Sequence, residues 1–276
     1  MNKNLDKKTV SGFGDEWTRF SQEKLDKEER KQIFKDYFSI FPWELINRES
    51  KGVDIGCGSG RWAFELAPFV GHLTLVDASG EALEVAKRNL SNFDNISFEE
   101  ASVDSLPMKD GSLDFAYSLG VLHHLPYPTA AIQSVAEKLK PGAPFLVYIY
   151  YALENRNLIY RLTWHLSEIF RLVISRMPKI FRYWASQIMS VILYWPLTRL
   201  AKLLERLGFN VDSFPLSCYR DKSFYVMRTD ALDRFGTRLE KRFKRSEIKK
   251  MMMASGFQNI KFRDGFPYWC AVGFKK

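Results

Sequence analysis

Cysteine is scarce: Cys57, Cys218 and Cys270 are the only three in 276 residues. They are too few and too scattered for a disulfide framework or a zinc site, and they fit a reducing, cytoplasmic compartment. Acidic residues are also short, 32 Asp and Glu against 41 Lys and Arg, which leaves a net charge of +9 and a pI of about 9.3. A basic excess favours an anionic partner: a phosphorylated or acidic substrate, nucleic acid, or an anionic membrane surface. Its alternative is a solvated basic face. Long apolar runs are missing. Tyr183–Thr198 is free of charge for 16 residues but carries Pro196, and a membrane span needs roughly 20 apolar residues. The first eight residues hold no apolar signal core. The expected location is the cytoplasm, or the inner membrane face as a peripheral protein. No internal repeat or low-complexity tract stands out, and no His, Cys or carboxylate cluster has metal-ligand spacing.

Strand and helix patterns alternate in the first half. Residues 1–12 are polar and expected to be mobile. A helical stretch is expected over 13–47, with charged clusters around Phe34, Tyr37, Phe38 and Phe41. Strands are expected at 52–55, 72–76, 95–100, 113–118 and 144–150, with helices at 60–69, 80–91 and 128–139. Lys140-Pro141-Gly142 turns the last helix into the fifth strand. Such alternation predicts a parallel sheet with helices on both faces. From 151 to 208 the rhythm gives way to an aromatic, apolar and basic stretch at helical spacing. Residues 209–235 read as loop-rich, and 245–255 as a helix. Phe257–Phe262 and Trp269–Phe274 read as two closing strands.

The glycines at 56, 58 and 60 follow a short apolar strand, with Asp54 just ahead and Asp77 at the end of the next strand. In an open α/β sheet this pairing holds an adenosine-containing cofactor: glycines bring backbone close to the ligand, and the acid accepts from ribose hydroxyls. The spacing differs from the G-x-G-x-x-G of dinucleotide-binding turns. Asp77 also suits a helix N-cap, because Asp77-Ala-Ser-Gly precedes a helix.

Asp54-Ile-Gly-Cys-Gly-Ser-Gly60 resembles motif I of the class I S-adenosylmethionine-dependent methyltransferases, in the group with a type 11 or UbiE-like core. Val76-Asp77-Ala-Ser79 resembles their acidic second motif. Ser105-Leu-Pro-Met, Gly111-Ser-Leu-Asp-Phe115 and Ser118–Pro126 resemble their fourth-strand region, and Lys140-Pro-Gly-Ala the turn before their fifth strand. Together these cover about residues 50–150. More loosely, Phe13-Gly-Asp-Glu-Trp17 resembles an N-terminal FG-x-x-W element of one subgroup, and Thr229–Phe235 that subgroup's D-x-x-D segment.

The resemblance implies a doubly wound, Rossmann-like α/β sheet of seven strands, the last antiparallel, with a helical insertion between strands 5 and 6. It divides the chain into a helical lid (1–47), a cofactor-binding core (48–150), an insertion or substrate cap (151–235) and the C-terminal end of the core (236–276). The implied cofactor is S-adenosyl-L-methionine. Its contacts would come from Asp54, Gly56, Cys57, Gly58 and Gly60 in the first turn, and from Asp77 and Ala78 after the second strand. Leu119 and a lid residue, Trp17, complete them with Ser102 and Val103. Many relatives carry Asp at the position of Ser102, where it binds the adenine amino group; a hydroxyl accepts that bond more weakly. His123, in the crevice after the fourth strand, is the candidate base for a substrate hydroxyl.

The insertion holds nine Lys or Arg against three acids between 151 and 208. Three readings stand: an acceptor-binding cap, a homodimer interface, or a peripheral membrane contact through 151–208. The expected function is methyl transfer to a small-molecule or lipid-linked acceptor, preferably at oxygen, such as a sugar, polyketide or other secondary metabolite. An RNA methyltransferase and a non-catalytic membrane-associated scaffold are the alternatives. Nucleic acid is disfavoured, because no RNA-binding module or Pro-Pro-Tyr-type motif is present.

Overall fold

The computed structural model of the chain describes residues 4–276; residues 1–3, part of the stretch expected to be mobile, lie outside the described residues. Two helices come first, α1 (Lys7–Arg19) and α2 (Lys27–Tyr37), rather than one over 13–47. The Asp6 carboxylate caps α1 by accepting from the Lys8 and Thr9 amides, so the helix starts ahead of the expected position. The break after α1 has its own cause. Gln22 takes a left-handed φ of 68°, and the Asp26 carboxylate accepts from the Glu28 and Glu29 amides at 3.0 Å each, starting a new helix.

The α/β rhythm then runs through β1 (Lys51–Ile55), α3 (Arg61–Leu66), β2 (His72–Asp77), α4 (Gly80–Asn89), β3 (Ile96–Glu100), β4 (Phe115–Leu119), α5 (Pro128–Lys138) and β5 (Pro144–Tyr148). Four helices follow: α6 (Leu158–Ile174), α7 (Lys179–Met189), α8 (Trp195–Arg206) and α9 (Phe224–Gly236). The chain closes with α10 (Arg245–Ala254), β6 (Phe257–Phe262) and β7 (Cys270–Lys275). Seven strands form one sheet in the order β3-β2-β1-β4-β5-β7-β6. The pairs from β3 through β5 are parallel, and β7 runs antiparallel to both β5 and β6. This is the expected fold, with the helical insertion between β5 and β6. Strand order reverses between β1 and β4, so a crevice opens beyond their carboxyl ends.

Contacts divide the chain into two units: Met1–Glu23 with Arg30–Ala152 and Leu239–Lys276, and Lys24–Glu29 with Leu153–Arg238. The first contains the sheet. Its central strands are buried on both faces, as expected of parallel β structure. An aromatic layer covers one face, where Phe38 meets Tyr117 edge-on (centroids 5.3 Å apart) and Phe41 meets Phe115 at 5.9 Å. The small residue Gly52 makes room for Phe115.

The second unit is helical, and its centre is α9. Met227, Ala231 and Phe235, four residues apart, pack with Ile174 and Tyr194 in its core. This corrects the loop-rich reading of 209–235. The Ser223 hydroxyl caps α9 by accepting from the Val226 amide at 3.3 Å. The C-terminal end of α9 is held by cations: Arg171 donates to the carbonyls of Thr237 (3.0 Å) and Arg238 (3.2 Å), and Arg182 to that of Gly236 (3.4 Å). Positive charge belongs at this pole of a helix, where carbonyls lack partners.

A β-carbon at Gly52 would lie 2.0 Å from Cζ of Phe115, which is fully buried. Gly52→Ala is therefore expected to destabilise the sheet by about 2–3 kcal/mol. Phe115→Leu in the same chain should recover part of that loss in urea unfolding; additive losses would refute the clash.

Candidate functional site

The crevice at the carboxyl ends of β1, β2 and β4 forms a pocket, and α1 supplies one of its walls. Its floor is the turn after β1. The carbonyl of Val76 accepts from both Gly56 N (2.7 Å) and Cys57 N (3.1 Å), which ties the turn to the end of β2. Gly56, Gly58 and Gly60 all have left-handed φ, 73°, 55° and 75°. A side chain at Gly58 would be strained and would also meet the Trp17 indole 2.6 Å away.

Asp77 stands beside this turn. One carboxylate oxygen accepts from Gly58 N at 2.9 Å and the other from Ser79 N at 2.9 Å. The N-cap of α4 is Ser79, whose hydroxyl accepts from the Ala82 amide. Asp77 is therefore not the cap. A carboxylate has about four acceptor positions, so Asp77 keeps capacity toward the pocket that it lines. Burial raises its pKa, while amide donation from Ser79 and Gly58 opposes the rise.

Asp54 sits one residue before the end of β1, in register with Tyr117 of β4. It is 1 % exposed, and both carboxylate oxygens are buried without a hydrogen-bond partner. Burial pushes its pKa up to about 8, against the lowering influence of the nearby Tyr117 hydroxyl. Two orphaned acceptors beneath a glycine turn suit a bound cationic group with N–H donors.

The wall from α1 explains the Phe13-Gly14-x-x-Trp17 spacing. Phe13 and Trp17 are one helical turn apart and both line the pocket. The Phe13 ring lies 4.9 Å from that of His124. Gly14 allows close contact with the start of α4, because a β-carbon there would be 2.7 Å from the Ser79 hydroxyl. Asn4 ties this end of the chain down: its amide nitrogen and side chain donate to Asp104 at 2.6 and 2.7 Å, and its side-chain oxygen accepts from Tyr127 N at 2.8 Å.

Of the residues singled out from sequence, Trp17, Gly56, Cys57, Asp77, Ala78, Ser102, Val103 and Leu119 line this pocket. Asp54, Gly58 and Gly60 support it from behind or beside. Cys57 is buried, and burial pushes its thiol pKa well up, which makes it a packing atom.

His123 does not line the pocket. It is fully buried, its ring stacks on Tyr150 at 3.7 Å, and its Nδ1 accepts from Tyr150 N at 3.4 Å. Burial drives its pKa well below the usual histidine value. The neighbouring His124 does line the pocket, and its Nδ1 lies 2.6 Å from the Leu239 carbonyl. A carbonyl only accepts, so Nδ1 is the donor in this contact, and Nε2 is the other, buried ring nitrogen.

Sequence reasoning missed Asn4, Thr9, Val10, Arg61 and Val121 among the lining residues. Thr9 and Val10 lie a turn before Phe13, a signal that an earlier helix start would have made readable. Among the described residues no group of His, Cys, Asp or Glu could hold a metal ion.

Residues 53–147 match the methyltransferase domain family. Over 109 residues the chain is 33 % identical to an uncharacterized methyltransferase, YcgJ of Bacillus subtilis (strain 168), covering 39 % of this chain and 43 % of that protein. Over 108 residues it is 29 % identical to the ubiquinone biosynthesis O-methyltransferase of Albidiferax ferrireducens, covering 38 % of this chain and 41 % of that one. The chain thus spans less than half the length of these relatives. The crystal structure of YcgJ superposes with a TM-score of 0.50 at 19 % identity, over 87 % of this chain and 71 % of that one. A protein in complex with the Haloferax volcanii Trm112 methyltransferase activator gives 0.52 at 16 % identity, over 95 % and 96 %. At these identities the structural matches speak to the fold.

The folded-state pKa of Asp54 lies above the ordinary 3.8, so its contribution to stability is full below that value and is lost as pH rises to about 8. In urea unfolding of the ligand-free protein, stability relative to Asp54→Asn should fall across this window by up to about 1.4 kcal/mol per pH unit. Parallel pH profiles would refute the buried, unpartnered carboxyl.

Proposed function

We propose that this chain, a member of the class I S-adenosylmethionine-dependent methyltransferase family through residues 53–147, transfers a methyl group from S-adenosylmethionine to a small-molecule or lipid-linked acceptor, preferably at oxygen. One observation carries the reading: a left-handed glycine turn held by Asp77 after β2, with the buried, orphaned Asp54 carboxylate near the end of β1. S-adenosylmethionine, when bound, supplies an electrophilic methyl group on a sulfonium.

The chain's own residues then have distinct tasks. Asp54 receives the ammonium of the methionine part, directly or through water, and that charge offsets the desolvation of its carboxylate. Asp77 directs its remaining acceptor capacity to the ribose hydroxyls. Ser102 and Val103 meet the adenine edge, with Ala78 and Leu119 as further walls. Trp17 covers the glycine turn and excludes water. With a cationic leaving group, catalysis is chiefly positioning plus removal of the acceptor's proton. His124 is the better placed of the two histidines for that removal, because it lines the pocket while His123 does not. His123 supports it from the buried side, its ring 4.0 Å away.

Oxygen as the acceptor is supported by the O-methyltransferase among the relatives. RNA as the acceptor is less well supported. Within the basic run 234–250, Arg242 pairs with Glu240 and donates to the Tyr151 carbonyl, and Lys241 reaches the Pro126 carbonyl. These two cations brace the fold, which leaves Lys244, Arg245, Lys249 and Lys250 among the exposed cations of the run.

Asp77→Ala should weaken S-adenosylmethionine binding by roughly a hundredfold or more in calorimetry; unchanged affinity would refute the ribose assignment. Transfer of labelled methyl into a metabolite and lipid extract tests turnover. There His124→Gln should cost about 10²- to 10⁴-fold with donor affinity nearly intact, whereas His123→Ala should lower stability first. Wild-type protein that binds the donor and methylates nothing in such extracts would favour the scaffold alternative.

A further inference from the structure

Around the apolar core at α9, two helices of the helical unit, α6 and α7, turn apolar faces outward. Along α6, Leu158, Leu162, Leu166, Ile169 and Val173 recur at three- and four-residue spacing on one face, and every one is more than half exposed. The opposite face carries Ser167 and Arg171, and Arg171 is 5 % exposed. On α7 the inversion is sharper. Ile180, Phe181, Trp184 and Ile188 are exposed, while Arg182, Ser186 and Gln187 are buried; Ser190, just after the helix, is buried as well. Phe181 is 64 % and Trp184 60 % exposed. A helix surrounded by water turns its apolar face inward and its polar face out. Here the polar groups are consumed internally: Glu168 pairs with Arg171 and Arg234, and Gln187 accepts from Arg228.

Charge on this surface has one sign. Between Glu154 and Glu205 the only acid is Glu168, which is already paired inside the unit. Arg161, Arg176, Lys179, Arg199 and Arg206 are exposed. A two-fold contact between copies would set these cations against themselves. No helix among the described residues is long and apolar enough to cross a membrane. Apolar side chains with Trp among them and a rim of Lys and Arg match the boundary between anionic headgroups and acyl chains.

We propose that α6 and α7 seat this chain on an anionic lipid surface, with their apolar faces in the headgroup and acyl boundary and the cations at the phosphate level. The docking belongs to the helical unit and does not depend on methyl transfer.

Sedimentation of the full chain with vesicles tests it. Phosphatidylglycerol–phosphatidylcholine vesicles should bind the wild type at least about tenfold more tightly than pure phosphatidylcholine. The double variant Phe181→Glu with Trp184→Glu, both at exposed positions, should lose roughly tenfold or more of that binding. Arg176→Glu with Lys179→Glu should bring binding down toward the level on neutral vesicles. Calorimetry with S-adenosylmethionine should show unchanged donor affinity in all variants, which confirms their fold and separates this test from that of the enzymatic reading. No vesicle binding by the wild type would overturn the proposal, as would equal binding to neutral vesicles or undiminished binding by the Phe181 and Trp184 variant. A dimer in light scattering that this variant dissociates would assign the face to a second copy instead.

Discussion

The grip of β2 on the glycine turn is the interaction on which the pocket depends. The Val76 carbonyl holds the amides of Gly56 and Cys57, and the next residue, Asp77, holds that of Gly58. Three successive amides are thereby fixed by two residues of a neighbouring strand. The turn can then adopt left-handed φ values without collapsing into the crevice, and Asp77 is oriented by the same contact that orients the turn. Parallel pairing of β1 with β2, Ile55 opposite Val76, sets this register. A slip by one residue would separate the carboxylate from the turn and reverse the faces of the strand.

The two units obey different rules of solvation. The sheet unit buries apolar strands and aromatic side chains and leaves most of its charge outside, as water demands. The helical unit keeps an apolar core at α9, but it also buries guanidinium groups, hydroxyls and an amide while α6 and α7 leave leucine, phenylalanine and tryptophan outside. Its buried cations are tolerable because each has a partner: Glu168, or the unsatisfied carbonyls at the end of α9. The lipid surface proposed for α6 and α7 would suit such a pattern, and their apolar faces and cations contribute to a composition that is 46 % hydrophobic and yet +9 in charge.

Much of the architecture was legible from residue order. Alternation of apolar strands with turn residues located the strands of the sheet to within a few positions, because each strand of a parallel sheet is a short apolar run with defined ends. The glycine spacing with flanking Asp54 and Asp77 located the pocket. What escaped notice had physical reasons. The helix α9 is laced with Arg228, Asp230, Asp233 and Arg234, and its apolar i, i+4, i+8 row of Met227, Ala231 and Phe235 was obscured by those charges. The break between α1 and α2 depends on the Asp26 cap and a left-handed Gln22, neither of which interrupts the charge pattern. The choice between His123 and His124 rests on side-chain direction in a short 3₁₀ turn, Leu122–His124, where neighbours diverge by about 120°. Adjacency in sequence carries no information about which ring reaches the crevice.

The contacts assigned to Asp54 and Asp77 recognise an ammonium and a pair of hydroxyls. Both groups survive methyl transfer unchanged, since the spent donor, S-adenosylhomocysteine, differs only by one methyl and a positive charge on sulfur. In the proposed reading, the groups that Asp54 and Asp77 would hold are therefore present on the spent molecule as well as on the fresh one. Net flux would then follow the ratio of fresh to spent donor around the site more than the absolute supply.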